Sequence, residues 1–79
     1  MLAKIHITLK KEVLDPQGSV IAYSLKSLGF DGVQDVRQGK YIEIRLDNND
    51  RDSAIKKLNE MCEKLLANLV IEDYSVEID

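Results

Sequence analysis

Few side chains in this chain are suited to chemistry, and they lie far apart. His6 is the single histidine and Cys62 the single cysteine. Neither has a second histidine or cysteine at metal-ligand spacing. Ser19, Ser24, Ser27, Ser53 and Ser75 lack a histidine placed to act as their base. Cys62 falls on an apolar helical stripe, and a reactive thiol needs an exposed, electropositive setting instead. His6 falls on the polar side of a strand pattern, which suits a surface or interface residue better than a general base. Two short phrases remain. Asp15-Pro16-Gln17-Gly18 reads as a helix N-terminus, a place where anions bind. Asp15 would repel a phosphate there, so it reads as the helix cap. Arg37 and Lys40 flank Gly39 and make a small positive point. They suit either a solvated turn or a contact for an acidic or phosphate-bearing surface on a partner.

The elements that position these residues follow from hydrophobic spacing. Ala3 to Leu9 alternates, with Ile5, Ile7 and Leu9 on one side and Lys4, His6 and Thr8 on the other, so a central strand is expected. Asp15 caps and Pro16 opens a first helix. Its stripe is Ile21, Leu25 and Leu28 with Gly18 and Ala22, and Gly29 ends it as a left-handed residue. Val33 to Leu46 reads as a β-hairpin. A three-residue loop, Arg37-Gln38-Gly39, puts Val36 on the face of Ile42 and Ile44 and gives Gly39 the left-handed position of a bulged turn. Asp47-Asn48-Asn49-Asp50 is a polar turn, and Asn49 or Asp50 caps a second helix. Ile55, Leu58, Met61, Cys62 and Leu65 form that helix's stripe, and Asn68 stops it. The last strand puts Tyr74, Val76 and Ile78 on one face.

The order β-α-β-β-α-β with right-handed crossovers predicts an α+β, ferredoxin-like domain. Its four-stranded antiparallel sheet would carry both helices on one face. The open face would show His6, Thr8, Tyr41 and Arg45 with Asp35 and Glu43. At 79 residues, 44% hydrophobic and 32% charged, the chain reads as a single domain over residues 1–79. A domain of this size buries only about 60% of its unfolded surface, so association would help it. The net charge of −3 disfavours nucleic acid and anionic membranes as partners. A lone cysteine, no apolar run near membrane-spanning length and no signal-like start point to the cytoplasm.

Three functions known on this fold can be weighed. An RNA-binding sheet needs several stacking aromatics on its open face, and Tyr41 is the only one expected there. A small phosphatase needs arginine in a glycine-rich loop, and Lys10 to Pro16 contains neither residue. A ligand-sensing regulatory domain, binding small molecules between paired copies, stays open.

Three stretches carry a more specific signal: LKKEVLDPQG over Leu9 to Gly18, VQDVRQGKYIEI over Val33 to Ile44, and EMCEKLLANLVIEDYSVEI over Glu60 to Ile78. Together they resemble PurS, the small subunit family of bacterial and archaeal phosphoribosylformylglycinamidine synthase, over essentially the whole chain. The resemblance implies a chain that binds no cofactor and has no catalytic or metal-ligating residue of its own. ATP, magnesium and glutamine would be used by partner subunits. The implied partners are further copies of itself, as a homodimer or larger assembly, a large PurL-type synthetase subunit and a PurQ-type glutaminase subunit. The implied role is assembly of those subunits for ammonia transfer in de novo purine synthesis. On that footing Asp15, Pro16, Gln17 and Gly18, with Arg37, Gly39 and Lys40, are the expected partner contacts.

Overall fold

The computed structural model describes residues 1–47 and 49–79. Its centre is β1 (Leu2–Leu9), flanked antiparallel by β2 (Gly39–Arg45) and β3 (Glu72–Ile78) in the order β2-β1-β3. The register puts Ile5 opposite both Ile42 and Val76, so the alternating apolar positions of all three strands share one face. Ala3, Ile5 and Ile7 have no exposed surface. The expected placement of β1 at the centre holds.

That face is covered by α2 (Arg51–Met61), which buries Ala54 and Leu58 against the strands. Asp50 caps it, accepting from the Asp52 backbone N–H at 3.1 Å, and Asp52 adds negative charge to the first turn. Asn48, in the polar turn before it, lies outside the described residues. The helix continues into a π-helical turn, Cys62–Leu66, where the Ala67 N–H donates to the Cys62 carbonyl at 2.9 Å. The wider turn rotates the residues after Cys62 about the helix axis. Leu65, expected on the apolar stripe, is therefore 83% exposed, and Ala67 is buried.

The first helix forms as its caps dictate, but it does not pack where a ferredoxin-like fold would put it. In α1 (Pro16–Ser27), Asp15 accepts from the Gly18 N–H, Pro16 opens the first turn and Gly29 adopts φ 93° past the end. Gly18 is its only buried residue. Of the expected stripe, Ile21 and Leu28 are 38% and 74% exposed and Ala22 and Leu25 are only half-buried, so it does not rest on the chain's own sheet.

The expected hairpin is also absent. The sheet has three strands, not four, because the chain runs straight through Arg37-Gln38-Gly39. Gly39 is not left-handed, since among the described residues only Gly29 and Gly32 have positive φ. It is required for a different reason: a Cβ there would stand 2.5 Å from the Ile7 carbonyl oxygen of the neighbouring strand. Val33 to Val36 lies beside α1 instead, lining a cleft with Ser19, Ala22 and Tyr23. Residues 34–37 join no backbone–backbone hydrogen bond and no ladder. Asp35, expected on the open sheet face, is thus off the sheet altogether. Helix and return segment form an arm that projects from the domain. The molecule measures 49 × 25 × 15 Å with a radius of gyration of 16.0 Å, against about 12 Å for a compact chain of this length.

Candidate functional site

The two phrases singled out in the sequence, Asp15 to Gly18 and Arg37 to Lys40, meet at the base of the arm. Their meeting point is Asp15, which is only 6% exposed. One of its carboxylate oxygens accepts from the Gly18 N–H at 2.9 Å and the other from the Gln38 N–H at 2.7 Å. The carboxylate thus caps its own helix and holds the approach to β2 at once. These two backbone donors, Gln38 first and Gly18 second, hold the Asp15 carboxyl below the usual carboxylate range. Gly18 is needed for close approach: a Cβ there would collide with the Val36 carbonyl oxygen.

A second layer of contacts surrounds this centre. The Gln38 side-chain amide donates to the Gln17 side-chain oxygen Oε1 at 2.6 Å, and the Arg37 guanidinium donates to the Lys10 backbone carbonyl at 2.9 Å. Lys40 Nζ lies 3.2 Å from a carboxylate oxygen of Glu72, at the start of β3. Glu72 also accepts from the Asn68 N–H at 2.7 Å, and that bond, ahead of Lys40, keeps its carboxyl low. Between these groups lies a cavity of about 190 Å³ floored by Ile7 and Leu9 and walled by Asp15, Gln17, Gln38 and Glu72.

All seven residues expected to contact partners, Asp15, Pro16, Gln17, Gly18, Arg37, Gly39 and Lys40, therefore fall in one place. Their positions differ in kind. Asp15 and Gly18 are buried in the clasp, Gly39 is exposed but pressed against the Ile7 carbonyl, and Pro16, Gln17, Arg37 and Lys40 are exposed around them. Sequence reasoning missed Gln38 and Glu72. Gln38 acts chiefly through its backbone N–H, which leaves no trace in residue type. Glu72 was hidden by its distance along the chain from Lys40.

Elsewhere the structure offers little reactive geometry. Cys62 is fully buried, and burial pushes its thiol up. His6 is on the open face, its ring centre 5.0 Å from that of Tyr41 and its Nε2 3.8 Å from Glu77. The Tyr41 hydroxyl donates to Glu43 at 2.8 Å, and Lys4 pairs with Asp79 at 3.1 Å. Among the described residues no three histidine, cysteine or carboxylate side chains gather as metal ligands. No helix is long and apolar enough to cross a membrane.

The fold and site define a class of small α+β domain with a projecting arm, clasped at its base by two backbone N–H groups on the Asp15 carboxylate. Comparison with known proteins identifies which. The chain belongs to the PurS family: its residues 2–79 match the family described as PurS, phosphoribosylformylglycinamidine (FGAM) synthase. It is 51% identical over 76 residues to the phosphoribosylformylglycinamidine synthase subunit PurS of Bacillus subtilis, covering 96% of this chain and 89% of that one. Its fold is similar to the crystal structure of Methanocaldococcus jannaschii PurS, with a TM-score of 0.89, 41% identity, and 99% and 94% of the two chains covered. It is also similar to a chain in the structure of PurLQS from Thermotoga maritima, with a TM-score of 0.83, 31% identity, and 98% and 96% covered. The matched lengths span the arm as well as the sheet.

Proposed function

We propose that this chain is the non-catalytic PurS subunit of phosphoribosylformylglycinamidine synthase in purine biosynthesis, assembling a PurQ-type glutaminase and a PurL-type synthetase so that ammonia passes between them. The full-length likeness to a chain of the Thermotoga PurLQS structure carries this proposal. The enzyme is an ATP- and glutamine-dependent ligase whose nucleotide, magnesium and glutamine are handled by the partner subunits, with this chain binding no cofactor. Its place is the cytoplasm. It associates with further copies of itself and then with the two larger subunits.

The physical role follows from the nature of the intermediate. Ammonia is small, and in water it is lost to protonation and diffusion. A subunit that aligns the two active sites and limits solvent between them raises the effective ammonia concentration at the acceptor. The exposed rim of the clasp, Pro16, Gln17, Arg37 and Lys40, is the contact surface for the larger subunits. Asp15, Gly18 and Gly39 act beneath it by holding that rim in place.

The test is glutamine-dependent product formation by the two catalytic subunits with and without this chain, beside the same assay fed with ammonium salt. The chain should be required with glutamine and much less with ammonium. Equal rates with and without it in both assays would overturn the assembly role. Alanine at both Arg37 and Lys40 should weaken assembly and glutamine-dependent turnover together. Unchanged turnover would remove the rim from the interface.

A further inference from the structure

We infer that the turn after β1 is an electrostatic dock, in which Lys10, Lys11 and Arg37 together receive a short carboxylate-rich segment of one of the larger subunits. This rests on the assembly role proposed above and adds the chemistry of the contact.

Lys10 and Arg37 are 27 residues apart in sequence, and the backbone brings them together. The Val13 N–H donates to the Lys10 carbonyl at 3.0 Å, which closes a turn over Lys10-Lys11-Glu12-Val13. The Lys10 N–H donates to the Ile71 carbonyl at 2.8 Å, so this turn is tied to the chain leading into β3. The Arg37 guanidinium donates through Nη2 to the same Lys10 carbonyl at 2.9 Å. A carbonyl orients a guanidinium without neutralising it. Arg37 therefore keeps its charge, and its remaining N–H donors stay available on a fork held in one orientation.

The three charges are not compensated inside the chain. None of them forms an ion pair among the described residues, whereas Lys4 and Lys40 do. The carboxylates at this end of the fold are engaged elsewhere: Asp15 by the Gly18 and Gln38 N–H groups, Glu72 by Lys40 and the Asn68 N–H. Glu12 offsets one of the three cations, and the turn stays positive on a chain whose net charge is −3. The lysines of α2 differ, since Lys56 and Lys57 stand within one helical turn of Asp52 or Glu60.

The surroundings select the occupant. A phosphate would look for free N–H groups at the start of α1, and Asp15 already fills that place. The cavity beside the clasp is lined by Lys40 but by none of these three residues. A long polyanion laid across the molecule would also meet Asp73, Glu77 and Asp79 on and after β3, and be repelled. A short acidic segment meets the cationic turn alone, next to the exposed Pro16 and Gln17 of the clasp rim. Exposed charge pairs of this kind are individually weak and screened by salt, and they steer encounter and orientation.

The experiment uses the full chain with both catalytic subunits, and reads the concentration of this chain that half-saturates glutamine-dependent turnover. Lys10→Gln, Lys11→Gln and Arg37→Gln combined should raise it at least about tenfold at low salt. The difference from the unsubstituted chain should shrink as salt is added. Lys11→Gln alone changes an exposed side chain without an ion pair, so it should leave the circular dichroism unchanged and raise half-saturation about two- to fivefold. Lys56→Gln, the same charge change on α2, should not. A carbodiimide, which joins an amine to a carboxylate in direct contact, should link Lys10 or Lys11 to an aspartate or glutamate of a larger subunit. Unchanged half-saturation in the triple variant, with no such link, would overturn the dock and leave the assembly role intact. A chain that changes neither the glutamine-fed nor the ammonium-fed rate would remove both. Saturable binding of inorganic phosphate to the isolated chain, lost in the triple variant, would overturn the carboxylate partner in favour of a small anion.

Discussion

Substituting Gly18 by alanine sets two effects of known size against each other. In an exposed helix the change favours folding by about 0.8–1.0 kcal/mol, because alanine loses less backbone freedom. On an arm with no other buried residue that gain would ordinarily prevail. Here the space is taken: the added Cβ meets the Val36 carbonyl oxygen, with that carbonyl's carbon at 3.0 Å and Asp15 Oδ2 at 3.0 Å. Forcing a methyl against fixed backbone costs about 1–3 kcal/mol, so the clash outweighs the propensity. The cheapest relief is to open the clasp. Gly18→Ala should therefore free the Gln38 amide from Asp15, and its native-state hydrogen exchange should speed up. Each 1.4 kcal/mol is tenfold, so a net cost of up to about 2 kcal/mol corresponds to up to roughly 30-fold faster exchange. Amides of Ile5 and Val76, inside the ladders, should not change. If Gly18→Ala instead stabilised the protein and left the Gln38 amide as slow as before, Val36 would not be seated on α1 and the clasp would not hold the arm.

Three further outcomes follow from the same geometry. Leu58→Ala removes a fully buried side chain between α2 and the sheet, so urea denaturation at fixed protein concentration should show a loss of about 2–5 kcal/mol. The depressed Asp15 carboxyl contributes stability that is present above its unfolded value of about 4 and lost as the pH falls through the lower folded value. The Gln38 amide resonance should therefore titrate in one step below about pH 4 and show no such step in Asp15→Asn. Cys62 should react with a thiol reagent only when the core opens, at least about 10³-fold more slowly than in denaturant. A fast native reaction would contradict its burial.

The sequence showed what is local and left out what is relational. Strand β1, the capping of both helices and the apolar faces of β1 and β3 all follow from neighbours a few residues apart, and all are present. The hairpin at Arg37 to Gly39 failed because glycine serves two purposes. A left-handed turn and a close backbone contact both demand a missing Cβ, and only the Ile7 carbonyl beside Gly39 decides between them. Leu65 failed because one π-helical turn shifts the phase of every residue after it, with no residue type that announces it. The stripe on α1 was read correctly as apolar, but a stripe does not say whose core it serves. The site phrases were legible as unusual, whereas their contact through Asp15 and the Gln38 backbone was not, because a main-chain donor is common to nearly every residue.

The order β2-β1-β3 also governs how the chain can be made. The middle strand is the first to leave the ribosome, and its two neighbours are the second and the last. Ala3 cannot meet Ile78 until the residues between them, both helices and β2 included, have been synthesised. Pairings this distant slow folding, because the loop between them must be ordered before any contact compensates for it. Through most of its synthesis the nascent chain exposes Ile5 and Ile7 on a strand with a bare edge. An interrupted chain lacking β3 has no route to bury them and is a target for chaperones and proteases. A chain interrupted before β3 thus cannot complete the core that the sheet shares with α2.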